Sequence, residues 1–234
     1  MIQSNTHQEV LFHLGSLALQ MDHSGALYLP EHKTLIVADL HFEKATTLNE
    51  KRGSSFPPYD TRDTLNRLHN VIRRRQPDRM ICLGDTWHDS DGPSRMQAED
   101  REAFRNLITN CKTHFIIGNH DGDLSEVDGV SFYSQIDIEG IMLRHEPVED
   151  ETLFQICGHL HPVAKIKQKG RLIRRRCFYL SKRQCVLPAM GSLTGGLNCL
   201  DSAYERFMSH EDRHVVILGR DRLYHLSMRS LIAD

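Results

Sequence analysis

The chain has 234 residues, of which 39% are hydrophobic and 26% charged, and we expect one large domain, spanning 1–234, around a substantial core. A formal net charge of -2 and a pI near 6.7 exclude the strongly basic balance of a protein that coats nucleic acid, so any polyanion contact must be a local patch. No window reaches the roughly 18 apolar residues of a membrane span, and residues 1–10 contain no basic segment followed by a long apolar stretch. These features predict a cytoplasmic protein without membrane contact.

Six cysteines are scattered through the chain without the CxxC spacing of a metal or redox site. They lie in or beside apolar runs, as is typical of buried thiols. We therefore predict reduced cysteines rather than a disulfide framework, in keeping with a cytoplasmic location.

The first third of the chain is predicted to form a β-meander, a loop and a helix. The runs LFHLG, ALYLP and TLIVADLH indicate three strands within residues 11–41. Residues 42–60 lack periodicity and carry Gly, Ser and a Pro-Pro pair, which predicts a long loop over a cleft. Asp60 is predicted to cap a helix whose apolar residues recur every three or four positions and whose last turn is the basic triplet Arg73 to Arg75.

The middle of the chain alternates predicted strands and helices. The apolar run RMICL ends abruptly at Gly84-Asp85, which is typical of a buried central strand that carries a carboxylate to the edge of a sheet. The segment DSDGPS is predicted to be a loop, Met96 to Thr109 a helix and HFIIG the next strand. This alternation implies a parallel sheet with crossover helices. From Val130 onward, successive apolar runs with Gly or Asp turns predict consecutive strands.

Potential metal ligands stand where five of these apolar runs end. They are Asp39, His41, Asp85, Asn119, His145, His159 and His161, with His120 directly after Asn119. Because open α/β folds bind ligands beyond the carboxyl ends of their strands, we expect these side chains to converge on one cleft. Strand alternation predicts that Asp39 and His41 point to the same side while Leu40 faces away. The same alternation applies to His159 and His161.

The types of donor atom in this set indicate a catalytic metal site. Carboxylates, imidazoles and one amide, without a thiolate, suit Mn, Fe or Zn rather than a structural zinc-cysteine cluster, and we favour Mn2+. Seven ligands exceed the need of one tetrahedral ion. They suffice for two divalent ions about 3.5 to 4 Å apart, the arrangement of phosphatases and nucleases. Asp85, at the end of the central strand, is the natural bridging ligand.

The ordered blocks DLH, GDTWHD, GNHD, the isolated His145 and GHLH resemble the five blocks of the calcineurin-like metallophosphoesterases, and they cover residues 35–162. This resemblance implies an α/β fold of the α+β type, a four-layer αββα sandwich. It implies one metal ion held by Asp39, His41, Asp85 and His161, and a second held by Asp85, Asn119, His145 and His159. It also implies that His120 is the catalytic histidine.

The segments DLHFEKA, PPYDT and LPAMGSLTGG resemble, more narrowly, the bacterial DNA-ligase-associated phosphoesterases of the PdeM family. This narrower resemblance implies a role in DNA repair, with DNA ligase or helicase repair proteins as partners.

Three positions next to the ligands remain ambiguous in the sequence. His88 stands where many relatives carry an aspartate that orients the catalytic histidine, although a histidine there could still hydrogen-bond His120. Asp89 stands where protein phosphatases carry a phosphate-binding arginine, and a carboxylate there would repel a phosphomonoester dianion, which argues against a phosphoprotein phosphatase. Trp87 is either a stacking platform beside the site or a packing residue.

A basic segment, KIKQKGRLIRRR at 165–176, directly follows the GHLH block. Alternation along a hairpin would place several of its cations on one face near the cleft, as a track for a phosphodiester backbone. A charged hairpin that protects an edge strand from aggregation explains the same residues equally well. The candidate substrate-binding residues are Lys44, His88, Lys167, Arg171 and Arg174.

These predictions together favour a dinuclear metal-dependent phosphoesterase that hydrolyses phosphodiester bonds of DNA or nucleotides, as a nuclease or phosphodiesterase. His120 is expected to protonate or hydrogen-bond the leaving oxygen. The alternatives are a small-molecule phosphatase or nucleotide pyrophosphatase with the same site, and a non-catalytic scaffold in a repair complex. The presence of the full ligand set together with His120 argues against the scaffold.

Overall fold

Two β-sheets packed face to face form the framework of the protein. The computed structural model describes residues 6–7, 9–122, 130–150, 152–208 and 212–234, and for residues 6 and 7 only the backbone. The N-terminal stretch 1–10, in which we predict no targeting signal, lies partly outside the described residues. No described helix is long and apolar enough to cross a membrane.

The described residues form strands that are numbered here in chain order. They are β1 (Thr6–His7), β2 (Val10–Leu14), β3 (Leu17–Met21), β4 (Leu27–Leu29), β5 (Thr34–Val37), β6 (Arg79–Leu83), β7 (Lys112–Ile116), β8 (Ser131–Tyr133), β9 (Ile136–Ile138), β10 (Ile141–Arg144), β11 (Phe154–Cys157), β12 (Pro162–Gln168), β13 (Arg171–Leu180), β14 (Gln184–Val186), β15 (Leu197–Asn198), β16 (His214–Leu218) and β17 (Leu223–Ser227).

The first sheet has the order β2-β3-β4-β5-β6-β7-β8. Its strands are antiparallel from β2 to β5 and parallel from β5 to β8. This confirms the predicted meander followed by a parallel sheet. The second sheet has the order β1-β17-β16-β13-β14-β11-β10-β9, with β12 beside β13 and β15 beside β12. It is antiparallel except where β10, β11 and β14 run parallel and where β15 pairs with β12.

Helices connect β5 to β6 and β6 to β7 in the parallel part of the first sheet. The α-helices are α1 (Lys44–Arg52), α2 (Asp60–Arg75), α3 (Gly92–Arg95) and α4 (Ala98–Asn110), and the 3₁₀ helices are Ser202–Arg206 and Met228–Ser230. The predicted helices after Asp60 and from Met96 to Thr109 correspond to α2 and α4, which confirms them.

The first sheet is buried on both faces, so alternate residues of its strands enter two different cores. Ile36 packs between the sheets with residues of the second sheet such as Ile156. Its neighbour Leu35 points the other way, into a core with Leu68 of α2 and Phe104 of α4. All six cysteines are buried free thiols, as predicted.

The outer face of the second sheet is covered differently. Tyr179 of β13 packs against Tyr204 of the first 3₁₀ helix, with ring centroids 4.9 Å apart. The predicted fold class, two stacked sheets with helical layers, is therefore confirmed. In the described part of the chain, however, the layer over the second sheet is a 3₁₀ helix rather than an α-helix.

Three local predictions are wrong. The segment 42–60 is not a continuous loop, because residues 44–52 form α1, which ends where Gly53 adopts a left-handed φ of 62° and its N–H binds the carbonyls of Leu48 and Asn49. The segment DSDGPS contains the one-turn helix α3. Asp60 does not cap α2: it is the first helical residue, and its carboxylate accepts a hydrogen bond from the Ala45 N–H of α1.

Candidate metal centre

The predicted ligands lie at one edge of the two sheets, just beyond the carboxyl ends of five strands. Asp39 follows β5, Asp85 follows β6 and Asn119 follows β7, all in the first sheet. His145 follows β10 and His159 follows β11 in the second sheet. The remaining two histidines stand two residues after the first ligand of their strand. Both sheets thus supply side chains to one site between their ends.

Four of these side chains form a buried group, namely Asp39, His41, Asp85 and His161. The Nε2 atom of His41 lies 3.2 Å from Nε2 of His161 and 3.6 Å from Oδ2 of Asp85. Oδ1 of Asp39 lies 3.3 Å from Nε2 of His161. One donor atom from each of the four lies within 4.8 Å of the others. The buried group therefore has the compactness of a metal-ligand set.

The other three side chains form a more open group, namely Asn119, His145 and His159. Oδ1 of Asn119 lies 3.0 Å from Nε2 of His145 and 3.0 Å from Nδ1 of His159. The side chain of His159 is 33% exposed, against 4% for that of His145. Asp85 faces this group too, because its Oδ1 lies 3.4 Å from Nε2 of His145. Its two carboxylate oxygens therefore point to the two groups, one to each.

The donor atoms of the open group fit a divalent cation. Nδ1 of His145 donates a hydrogen bond to the Leu83 carbonyl over 2.9 Å, so the neutral ring carries its proton there and presents a lone pair at Nε2. That lone pair faces the acceptor oxygens of Asn119 and Asp85. Acceptors that converge without a hydrogen between them repel one another, and a cation removes this repulsion. Oxygen and imidazole donors are those that Mn, Fe and Zn accept.

Burial keeps the central imidazole of the buried group neutral. It lowers the pKa of His41 far below the usual value, and the neighbouring His161 acts in the same direction. A metal ligand must offer a lone pair, so a histidine that stays neutral at pH 7 is ready to bind an ion.

The backbone at the ligands is left-handed, not extended. Positive φ angles occur at Asp39 (54°), His41 (45°), Asp85 (47°), His159 (71°) and His161 (46°). The two members of each pair do reach the same site, but strand alternation is the wrong reason, since β5 and β11 end before the ligands begin. Such conformations are uncommon for residues other than glycine and cluster at functional sites.

Two glycines allow the main chain to approach the ligands closely. A Cβ atom on Gly118 would lie 2.2 Å from both N and Oδ1 of Asp85. A Cβ atom on Gly158 would lie 2.7 Å from Oδ2 of Asp39. No real Cβ tolerates such distances, so the glycines of the GNHD and GHLH blocks are required by packing against the two carboxylates.

His120 lies beside the buried group and is oriented by the main chain of His88. Its N–H donates to Oδ1 of Asp85 over 2.9 Å, and its Nδ1 donates to the His88 carbonyl over 2.8 Å. The His88 ring stacks on the His120 ring, with centroids 4.9 Å apart and an interplanar angle of 18°. Burial lowers the pKa of His88 to about 4. The expected hydrogen bond between His88 and His120 thus exists. The main-chain carbonyl of His88 accepts it, in place of the aspartate carboxylate expected from the family resemblance.

Two charged side chains border the site. Lys44, at the start of α1, is half buried, and burial lowers its pKa while Asp85 opposes that shift. Asp89 binds Lys51 over 2.7 Å and is also hydrogen-bonded to Arg95. Burial alone would raise the pKa of Asp89, but these two cations outweigh it and hold the pKa at about 2. The repulsion of anions that we predict from Asp89 is therefore largely neutralised.

Trp87 and the basic hairpin differ in how they relate to the site. Trp87 is only 1% exposed and packs against Phe104, with ring centroids 5.6 Å apart, so it is a packing residue and not a stacking platform. Lys167 and Arg171 are exposed at the far end of the β12–β13 hairpin, away from the ligands that precede β12.

Sequence reasoning missed two supports of the site. The carboxylate of Asp121 accepts hydrogen bonds from the N–H groups of Thr86, Trp87 and Gly118 over 2.9, 3.2 and 2.8 Å, and so ties β6 to β7 behind the ligands. Its signal was present, because Asp121 ends the GNHD block.

The second missed support is the loop 189–192. The N–H of Met190 binds the Ala38 carbonyl over 2.8 Å, and the N–H of Gly191 binds the Asp39 carbonyl over 3.1 Å. Arg176 in turn donates to the Ala189 and Ser192 carbonyls over 2.9 and 3.1 Å. The loop therefore fixes the backbone of the first ligand.

Two packed sheets bring carboxylates and imidazoles together between their ends, as a metal-dependent enzyme requires. The model of the calcineurin-like phosphoesterases matches residues 32–179, and the chain belongs to this family. The fold is similar to that of the Pseudomonas putida nuclease MPE, with 26% sequence identity and a TM-score of 0.73 over 93% of this chain and 100% of that one.

Two further solved structures are less similar. The protein AQ665 from Aquifex aeolicus has 23% identity and a TM-score of 0.39 over 55% of this chain and 78% of that one. The phosphoesterase Yfce from E. coli has 14% identity and a TM-score of 0.37 over 86% of this chain and 96% of that one. The comparison with curated proteins found no match.

Proposed function

We propose that this phosphoesterase is a dinuclear phosphodiesterase that cleaves phosphodiester bonds of DNA or nucleotides, with Mn2+ as its metal. The observation that carries the proposal is the position of Asp85, whose Oδ2 faces the buried group while its Oδ1 faces the open group. A carboxylate shared in this way would be a ligand of both divalent ions in a two-metal site. The lack of thiolate ligands among the converging residues supports Mn2+ over a soft metal.

The two groups would divide the ions as the family resemblance implies. The buried group would hold one ion, and the open group together with Asp85 would hold the other. Two bound divalent ions polarise phosphoryl oxygens and lower the pKa of a water that can attack phosphorus. Lys44, which is half buried and close enough to Asp85 to be affected by its charge, would bind a phosphoryl oxygen of the substrate.

His120 would supply the proton that the leaving oxygen needs. Its Nδ1 donates to the His88 carbonyl, so Nε2 is the ring atom that can hold a proton for transfer. The stacked His88 ring and the hydrogen bond from the His120 N–H to Asp85 fix the orientation of this imidazole. A fixed ring is important because proton transfer requires hydrogen-bond distance to the leaving oxygen.

Three observations support a phosphodiester substrate in a reducing compartment. The similar Pseudomonas putida protein is a nuclease. Asp89 stands where protein phosphatases carry a phosphate-binding arginine, and it is paired with Lys51 and Arg95. This position therefore supplies no guanidinium group that could bind a phosphomonoester. The buried free thiols suit the cytoplasm. The association with DNA ligase or helicase repair proteins stays a prediction.

The test is hydrolysis by protein reconstituted with Mn2+, Fe2+ or Zn2+. The substrates are bis-p-nitrophenyl phosphate, p-nitrophenyl phosphate, cyclic nucleotides, a dinucleotide pyrophosphate and single-stranded DNA. We expect the diesters to be cleaved faster than the monoester, and Mn2+ to give the highest rate. Clearly faster cleavage of the monoester or of the pyrophosphate bond would overturn the proposal that the protein is a phosphodiesterase. If none of the metals supports hydrolysis of any of these substrates, the remaining alternative is a non-catalytic scaffold in a repair complex.

A further inference from the structure

A second concave surface lies outside the metal centre and is lined by arginines. This groove has a volume of about 570 Å3 and is bounded by α2, β13 and the turn after β16. Its arginines are Arg67, Arg74, Arg174, Arg175, Arg176 and Arg220. No aspartate or glutamate is among the described residues that line it. We call it the arginine groove.

Most of this positive charge is not neutralised within the described part of the chain. Arg74 lies 2.8 Å from Oδ1 of Asp22, and Arg174 lies 3.6 Å from Oδ2 of the exposed Asp234. The other four arginines have no carboxylate within 4.0 Å among the described residues. The whole chain has a net charge of -2, so the arginine groove is a concentrated cationic surface on a slightly acidic protein.

Stabilisation of the fold explains only part of the arginine groove. Arg67 and Arg176 are half buried and donate to carbonyls of the loop 189–192. Burial lowers the pKa of Arg176 to about 10, and the neighbouring Arg67 adds to the shift. Arg175 and Arg220, in contrast, are exposed. Like charges held together in this way repel one another unless an anion joins them.

The arginine groove is connected to the metal centre. Arg176 is the cross-strand partner of Val163, which stands two residues after His161. Strand spacings place the Cα of Arg176 roughly 8 Å from that of His161. The loop 189–192, which binds the Asp39 backbone on one side, is held by Arg67 and Arg176 on the other. A chain of phosphates that leaves the metal centre therefore has a short path to the arginine groove.

We propose that the arginine groove binds the phosphate backbone of the nucleic-acid strand whose scissile bond lies at the metal centre, which makes the substrate a polynucleotide rather than an isolated nucleotide. This inference rests on the proposed function. Guanidinium groups match phosphate geometry with two parallel hydrogen bonds. The four arginines without a carboxylate partner among the described residues come from three separate elements, which exceeds what a single phosphate needs and suits consecutive phosphates.

The test compares two charge-matched double variants. Arg175→Gln with Arg220→Gln removes two cations from the arginine groove without touching the arginines that hold the loop 189–192. Arg73→Gln with Arg229→Gln removes two exposed cations outside it. Binding of a fluorescent single-stranded thymidine oligonucleotide is measured by anisotropy in EDTA, which prevents cleavage, between 50 and 200 mM salt. Circular dichroism confirms the fold of each protein.

We expect each lost phosphate contact to reduce the slope of log affinity against log salt by about 0.7, or about 1.4 for the groove variant. When the salt rises from 50 to 200 mM, both proteins lose affinity for the oligonucleotide. The fold-loss of the wild type should be about seven times that of the groove variant. The control variant should keep the wild-type slope.

Equal slopes in both variants and the wild type would overturn the proposal. Binding of pyrophosphate is measured for the same three proteins. If the groove variant loses pyrophosphate binding but keeps the wild-type slope for the oligonucleotide, the proposal is also overturned, and the groove is a site for a small oligophosphate. Hydrolysis of bis-p-nitrophenyl phosphate by the wild type tests the proposed function separately. If the wild type cleaves this diester while all the slopes are equal, only the binding of a strand in the arginine groove is refuted. If the slopes differ but the diester is not cleaved, only hydrolysis at the metal centre is refuted.

Discussion

Replacing Asp85 by asparagine tests the shared carboxylate on which the proposed dinuclear site depends. Its Oδ2 lies 3.6 Å from Nε2 of His41, and its Oδ1 lies 3.4 Å from Nε2 of His145 and accepts the N–H of His120. An asparagine keeps the shape of the side chain but loses the negative charge. Its NH2 group must also face either a lone pair of a ligand or the N–H of His120. Asp85→Asn therefore weakens both metal groups at once.

The expected loss follows from this double contact. Losing even a partner that only orients a ligand reduces metal affinity by about 10- to 100-fold, and a direct ligand should count at least as much. Because Asp85 faces both groups, the population with two ions should fall by roughly 10²- to 10⁴-fold, and diester hydrolysis with it. Burial raises the pKa of Asp85 above its unfolded value, so its ionised form disfavours the metal-free fold at neutral pH. Metal-free Asp85→Asn should accordingly melt at a higher temperature than the wild type.

The assay measures metal content by mass spectrometry, turnover of bis-p-nitrophenyl phosphate and thermal melting in EDTA. Asp100→Asn is the matched control, because Asp100 is also buried but pairs with Arg62 over 2.9 Å. The control should melt at a lower temperature and keep its metals. A variant at position 85 that retains two ions and wild-type turnover would refute the bridging role.

The remaining predictions concern His120, Gly118 and Asp89. His120→Ala should keep both metals and lose about 10²- to 10⁴-fold of its activity on DNA, where the leaving alkoxide needs a proton, but much less on p-nitrophenyl esters; equal losses on both would exclude the general acid. Gly118→Ala should abolish metal binding because its Cβ meets Asp85 at 2.2 Å, whereas Gly195→Ala, with open space around it, should bind metal normally. Asp89→Asn should cost about 1 kcal/mol of stability at pH 7. Because the pKa of Asp89 is lowered to about 2, this difference should vanish in melts as the pH falls from about 4 to 2, and a constant difference would contradict the ion-pair explanation.

The fold was largely predictable because its strongest signals are short apolar runs and helical spacing, both of which are local in the sequence. The apolar runs that became β5 and β6 are continuous and short, as expected for strands buried on both faces, whereas in β7 only Phe115 and Ile116 are buried. α1 was missed because only two of its residues, Ala45 and Thr47, are buried, so its sequence carries no apolar stripe. Tertiary contacts such as the hydrogen bond from Ala45 to Asp60 hold this helix in place, and no local pattern reveals them.

The ligands were predictable as a set, whereas the groups around them were not. Their order along the chain and their position after apolar runs are visible in the sequence. The orientation of His120 was not, because it depends on a carbonyl of His88, and main-chain acceptors have no residue identity. The arginine groove was only partly visible: Arg174 and Arg175 stood out in a basic run, but Arg67 and Arg220 join them only in the folded chain.

The geometry of the site implies that metal binding and folding are coupled. Five ligands with left-handed backbones cost roughly 1 kcal/mol each. The sum, roughly 5 kcal/mol, is comparable to the net stability of a typical domain, about 5 to 15 kcal/mol. Acceptor atoms that face one another add to this cost in the metal-free protein. The cores on either side of the first sheet and the hydrogen bonds of the loop 189–192 offset it, and bound cations convert the repulsion of the ligands into attraction. The backbone strain at the ligands is therefore tolerated because the cores and the loop 189–192 offset it, while bound cations would remove the repulsion between the ligand atoms.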